Sequence, residues 1–247
     1  MKTTLLHLSS FILVFSSPLV AQTFQSGLAA TALIELYTSE GCSSCPPAER
    51  WLSELKTNKA LWTEFVPVAF HITYWDDLGW PDAYANPSFT QRQRDYAFDW
   101  NSRNIYTPEF VYQGREWHLG DSPPPASLPG VLTIKRNPDG GGTLTFKPAA
   151  TPSSSKTYDA SVALLGSDIL VNVRAGENAG RALPHDFVAL HLARVRLTLA
   201  DDGAYTGSFA SPTAHLPPAG KHALAAWVSR PGDLTPLQAT GGWIDSP

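Results

Sequence analysis

Cys42 and Cys45 are the only cysteines of the chain, and they lie in Glu40-Gly41-Cys42-Ser43-Ser44-Cys45-Pro46-Pro47. Two thiols in a C-x-x-C spacing can exchange with other thiols and disulfides, hold a soft metal, or close a short structural bridge. The bridge is the weakest use. A loop of four residues restricts the unfolded chain by only roughly 2 kcal/mol, against about 3 kcal/mol for fifteen residues. Dithiol exchange is therefore the first expectation, with Cys42 as the attacking thiol, facing solvent, and Cys45 resolving the mixed disulfide.

These thiols need a strand and a helix to hold them. The apolar run Leu33-Ile34-Glu35-Leu36-Tyr37 predicts a central strand, and Ala48, Trp51, Leu52 and Leu55 share one face of a following helix. A residue before proline is pushed out of the helical region, so Cys45 and Pro46 are expected to be extended. The helix would then begin near Pro47, leaving Cys42 displaced from its N-terminus. Residues 65–72 predict a second strand, with Pro67 at its start or against an edge. Residues 87–103 predict a second helix, capped by Asn86 and opened by Pro87. Two further strands follow at 107–112 and 116–119, around a turn at Gln113-Gly114.

That order, β-CxxC-α-β-α-(Thr-Pro)-β-β, is the arrangement of thioredoxin-like domains, with residues 73–86 as an insertion. The prolines of 122–130 leave no room for a closing helix. Beyond them, alternating runs at 131–135, 143–146, 160–165, 169–173, 187–199 and 222–228 predict antiparallel strands. The expected fold is an α/β thioredoxin-like N-terminal domain over 32–121, then an all-β antiparallel sandwich-like C-terminal domain over 131–247. Residues 22–31 and the Pro-rich 122–130 are the expected linkers.

Residues 1–21 read as an export signal, with Lys2 in a short positive segment, a broken apolar stretch, and Leu19-Val20-Ala21 as a cleavage site. The serines and Pro18 within the stretch leave it short of the ~20 apolar residues of a membrane span. A periplasmic or secreted location follows, and no membrane span after cleavage. The formal net charge is −4, and loss of Lys2 with the signal would make the mature chain more acidic. Nucleic-acid partners are not expected, because binding a phosphate backbone needs clustered positive charge.

The stretch from Ile34 through Cys42 and Cys45 to Ala48 resembles the signature of the domain of unknown function 1223 family, a secreted bacterial thioredoxin-like group. His71-Ile72-Thr73-Tyr74-Trp75-Asp76 through Gly79-Trp80, Arg92-Gln93, Tyr106-Thr107-Pro108, Asn178-Ala179-Gly180-Arg181 and His185-Asp186 are similar as well. The resemblance implies a fold and an exported location; the family brings no settled activity. Two departures are Thr73, where the family shows an acidic residue, and the proline-rich 122–130.

The thioredoxin-like order gives further residues a role. Glu35 is expected as a buried acid that accepts the proton of Cys45, the alternative being a solvated edge acid. Thr107-Pro108 is expected to be a cis bond facing the dithiol, with Thr107 meeting substrate backbone and Pro108 against the sulfurs. Tyr74, Trp75 and Trp80, with Tyr84, Asp76 and Asp77, either line a peptide groove or form the packed core of the insertion. His71 reads as a structural histidine, and Asn178, Gly180, Arg181, His185 and Asp186 as a hydrogen-bonded turn. The leading expectation is an exported thiol-disulfide oxidoreductase acting on protein thiols or disulfides. The alternatives are a periplasmic Cu(I) chaperone, disfavoured by a single methionine, and a non-catalytic binding module with a structural disulfide. No cofactor and no metal site are expected, and the sequence does not give the oligomeric state.

Overall fold

The protein is described here by a computed structural model covering residues 21–123, 125, 127–150, 156–212 and 216–245. The signal expected at 1–21 lies outside these residues, apart from Ala21. The chain enters through Gln22–Gln25 (β1) and then forms Ala32–Thr38 (β2), a strand buried at all seven positions. Continuous burial of this kind requires cover on both faces. Pro46–Glu54 (α1) follows the cysteines, then Phe65–His71 (β3), Pro87–Asp99 (α2), Glu109–Tyr112 (β4) and Arg115–Trp117 (β5). Asn86 caps α2 by accepting the Ser88 N–H, and Pro87 opens it. β2 runs parallel to β3 and antiparallel to β4, which pairs with β5.

The rest of the chain is almost all strand: Gly130–Arg136 (β6), Gly142–Pro148 (β7), Thr157–Ser167 (β8), Ile169–Asn172 (β9), Ala182–His185 (β10), Val188–Leu199 (β11), Tyr205–Phe209 (β12), Lys221–Ser229 (β13) and Pro236–Ile244 (β14). The expected pair of an α/β thioredoxin-like domain and a separate β-sandwich is not what forms. Twelve strands make one mixed sheet, ordered β1-β6-β7-β12-β11-β3-β2-β4-β5, with β8, β13 and β14 branching from β11. β9 and β10 pair by themselves. The join is at β3, whose free edge takes Val188 of β11 in parallel register with Ala69, and the Ala69 N–H donates to the Phe187 carbonyl at 2.8 Å. An unpaired edge on so apolar a strand is a hazard, and β11 closes it at Ala69.

The cores confirm that the halves are built together. Leu33, Leu36 and Phe70 share one buried cluster with Leu165, Phe187, Trp227 and Ala239. A second cluster around Leu132, Ile134, Leu144 and Phe146 fills the β-rich side. The N-terminal stretch expected as a linker supplies β1, in register with β6 from Gln22 against Arg136 to Gln25 against Thr133. Fully buried Gln238 on β14 donates to the carbonyls of Gly27, Ala29 and Gly130 and accepts the Thr31 N–H, tying both linkers down. Among the described residues, no helix is long and apolar enough to cross a membrane.

Candidate functional site

The two cysteines form a disulfide with their Cα atoms 5.4 Å apart, between the end of β2 and the start of α1. Cys45 is the N-cap and is helical (φ −74°, ψ −35°), not extended as the following proline led us to expect. Its carbonyl accepts the N–H groups of Ala48 and Glu49 at 2.9 and 3.1 Å, which holds it in place despite Pro46. The helix therefore starts at Pro46, closer to Cys42. Pro46 and Pro47 carry no N–H, so this N-terminus offers its dipole with two fewer hydrogen-bond donors than usual.

Both cysteines are fully buried, which corrects the expectation of a solvent-facing Cys42. The distant turn between β9 and β10 is hydrogen-bonded to the backbone of their loop. Buried Asn178 donates through Nδ2 to the carbonyls of Glu40 (2.8 Å) and Cys42 (3.0 Å), and Arg181 anchors its Oδ1 at 2.7 Å. Glu177 accepts the Ser43 N–H at 3.1 Å, and this contact holds its carboxyl below the usual range. Gly176 (φ +74°) and Gly180 (φ +81°) allow the turn to double back. The segment read from sequence as a self-contained turn is thus a clamp on the C-x-x-C loop. Ser43 and Ser44 remain exposed between the two cysteines.

On the other side lies Thr107-Pro108, and the bond is cis. Ser44 Oγ is 3.3 Å from Cys42 Sγ and donates to the Thr107 carbonyl at 3.5 Å, so the dithiol loop and the proline loop meet. Trp75 Nε1 donates to Thr107 Oγ1 at 2.8 Å. Trp80 turns inward, donating to Glu40 Oε2 at 2.6 Å, and Tyr74 is half-buried with its hydroxyl pushed up to about 12 by burial. Trp75 and Trp80 therefore serve as hydrogen-bonded struts around the dithiol loop. Glu109, next to Pro108, is pushed up to about 7 by burial, partly offset by a 2.6 Å bond from Gln93.

Glu35 is buried, as expected, but engaged elsewhere. Its oxygens accept from Arg92 Nε (2.7 Å) and Nη2 (3.0 Å), Tyr37 (3.0 Å) and Tyr96 (2.7 Å). Strand alternation explains the placement: Thr38 reaches Glu49 on α1, whereas Glu35 and Tyr37 lie on the opposite face, toward α2. The role of proton acceptor for Cys45 is withdrawn from Glu35.

Below the dithiol loop is a group that the sequence reading missed. Glu40, Glu49, His71, Asp82 and His185 are buried together. His71 Nδ1 is 2.7 Å from Asp82 Oδ2, and His185 Nδ1 is 3.2 Å from Glu49 Oε2. The His185 Nε2 atom is 3.9 Å from Glu40 Oε1, and the two imidazole centroids are 5.1 Å apart. Burial opposes a charge on His71, but the Asp82 carboxylate outweighs it and lifts the imidazole to about 9. Burial likewise pushes Asp82 and Glu49 up, yet His71 and the Glu40 and Tyr84 N–H groups hold Asp82, and His185 with His71 holds Glu49, below the ordinary carboxylate range. Glu40 is raised, by burial first and by Asp82 second. His71 and His185 both fall in segments that carry the family resemblance, the one signal that could have joined them.

The family described as protein of unknown function, DUF1223, matches residues 33–229, and the chain belongs to it. No curated protein matches the sequence. The crystal structure of a protein from Agrobacterium tumefaciens is similar in fold, with a TM-score of 0.55 at 18% identity, over 88% of this chain and 96% of that one. HBP35 of Porphyromonas gingivalis is similar at a TM-score of 0.58 and 14% identity, over 90% of this chain and 77% of that one. At such identities the likeness concerns the fold alone.

Proposed function

We propose that the protein is an exported thiol-disulfide exchange protein that acts on protein thiols or disulfides through Cys42 and Cys45. The observation that carries this reading is a single dithiol at the N-terminus of α1, bridged by Ser44 to the backbone of the Thr107-Pro108 loop. In the reducing direction the Cys42 thiolate attacks a substrate disulfide, forming a mixed disulfide and expelling one substrate thiolate. The Cys45 thiolate then attacks Cys42 Sγ, releasing the second substrate thiolate and leaving Cys42–Cys45 oxidised. The oxidising direction reverses both steps. In this reading Thr107, its hydroxyl held by Trp75 and its carbonyl reached by Ser44, meets extended substrate backbone, and the Asn178 clamp must open before a partner reaches the sulfurs. A broken apolar leader and a disulfide both favour an oxidising compartment outside the cytoplasm.

Full burial of both cysteines favours a second reading, a non-catalytic module in which the bridge is structural. Trapping separates the two. Cys45→Ser protein, exported and recovered under acid quench, should carry DTT-sensitive covalent adducts that Cys42→Ser protein lacks. Equal trapping by both variants would overturn the assignment of roles, and no adduct on either would favour the structural bridge.

A further inference from the structure

The cluster beneath the dithiol contains four buried polar atoms without a hydrogen-bond partner: Glu40 Oε1, His71 Nε2, His185 Nδ1 and His185 Nε2. A buried polar atom left unmatched is destabilising, so four in one place call for a missing partner. Water does not supply it, because the gap between Glu49, His71 and His185 has no room for a water molecule. A bare cation held directly by these groups needs no such room.

We infer that Glu49, His71 and His185 form a site for one zinc ion, with Asp82 and Glu40 orienting the two imidazoles. Asp82 is placed to take the Nδ1–H of His71 at 2.7 Å, so a bound ion would displace the proton on Nε2 and take its lone pair. A carboxylate behind a histidine in this way is the usual support of a metal-bound imidazole. His185 repeats the arrangement with its nitrogens exchanged. Nδ1 lies beside Glu49, and Nε2 faces Glu40 Oε1, which becomes its hydrogen-bond acceptor. One ion thus gives His71 Nε2 and His185 Nδ1 a partner, and a small further approach from 3.9 Å would let His185 Nε2 donate to Glu40 Oε1.

The distances are within reach. The donor atoms of Glu49, His71 and His185 lie within 4.8 Å of one another. Donors 2.0–2.2 Å from a tetrahedral ion stand about 3.4 Å apart. The His185 to Glu49 pair, at 3.2 Å, already meets this, and the other pairs, at no more than 4.8 Å, must close by at most about 1.4 Å. Two imidazoles and one carboxylate are the three protein ligands of a zinc site, whose fourth position falls to a water that the gap admits only as the ion binds; the set is too nitrogen-rich for calcium or magnesium and lacks the sulfur that Cu(I) prefers. This site is separate from the dithiol, so its failure leaves the exchange reading standing, and the reverse holds as well.

Zinc competition against a chromophoric chelator tests it, using full mature protein with Cys42→Ser and Cys45→Ser so that thiolates cannot contribute. One equivalent of Zn²⁺ should bind, His185→Gln should lose at least about 100-fold in affinity, and Asp82→Asn should lose about 10- to 100-fold. X-ray absorption of the zinc-loaded wild type should show nitrogen and oxygen neighbours at about 2.0–2.1 Å and no sulfur. That spectrum stays decisive if the histidine variant fails to fold. Less than a tenth of an equivalent bound by the cysteine-free protein, a Zn–S shell, or unchanged affinity in a folded His185→Gln variant would each overturn the site.

Discussion

If the β9–β10 turn gates the dithiol, releasing it should speed exchange at Cys42–Cys45, and Asn178→Ala is the sharpest release. The substitution removes two hydrogen bonds that end on the C-x-x-C loop, to the carbonyls of Glu40 and Cys42, and frees Arg181 from its anchor. At a net ~1 kcal/mol each, two such bonds contribute about 2 kcal/mol to the closed state. A change of that size multiplies the open population about 30-fold, since 1.4 kcal/mol is a factor of ten. The rate constant for reduction by DTT, followed under native conditions by alkylation and mass spectrometry, should rise by the same factor. Leu144→Ala, in the separate cluster of the β-rich side, controls for general destabilisation, costing about 2–5 kcal/mol without touching the clamp. A rate within twofold of wild type in Asn178→Ala, or an equal acceleration in Leu144→Ala, would refute the gate.

Other consequences concern the frame around the site. Arg92→Met strands the Glu35 carboxylate in the core and should cost about 3–5 kcal/mol in urea unfolding, while Glu35→Gln with Arg92→Met should recover most of it; a loss below about 1 kcal/mol for the single variant would sink the ion-pair account. Glu109 holds its proton up to about pH 7 when folded and releases it near 4.5 when unfolded, so its contribution is fullest below pH 4.5 and is lost as pH rises to 7. Glu109→Gln should therefore match wild type at pH 4.5 and exceed it by about 2 kcal/mol at pH 8, after allowance for solvent screening; a gap that does not widen with pH would contradict the shift.

Much of the local structure around the dithiol is legible in the sequence, because it rests on short-range rules. Apolar runs gave β2 and β3, helical spacing gave α1, Asn86 and Pro87 gave the start of α2, and the Thr107-Pro108 bond is cis. What escaped rests on distant pairings. Nothing in the alternation of 187–199 says that Val188 joins Ala69, so a separate sandwich looked as good as one continuous sheet. No spacing rule joins Glu40, Glu49 and Asp82, and only the fold brings them to His71 and His185. For Glu35 the strand left burial and a solvated edge both open, and the partner was out of reach, since Arg92 lies on α2. The prolines after Cys45 misled in the other direction, as a local preference overridden by hydrogen bonds to Ala48 and Glu49.

The reduction potential of the Cys42–Cys45 pair in the mature protein, measured by equilibration with glutathione or thioredoxin-range redox buffers, tests the exchange reading most directly. An exchanging dithiol should fall between about −270 mV, typical of a reductant, and about −120 mV, typical of a strong oxidant. A value below about −300 mV, where bridges resist the thiol pool, would contradict the account and make Cys42–Cys45 a structural bridge.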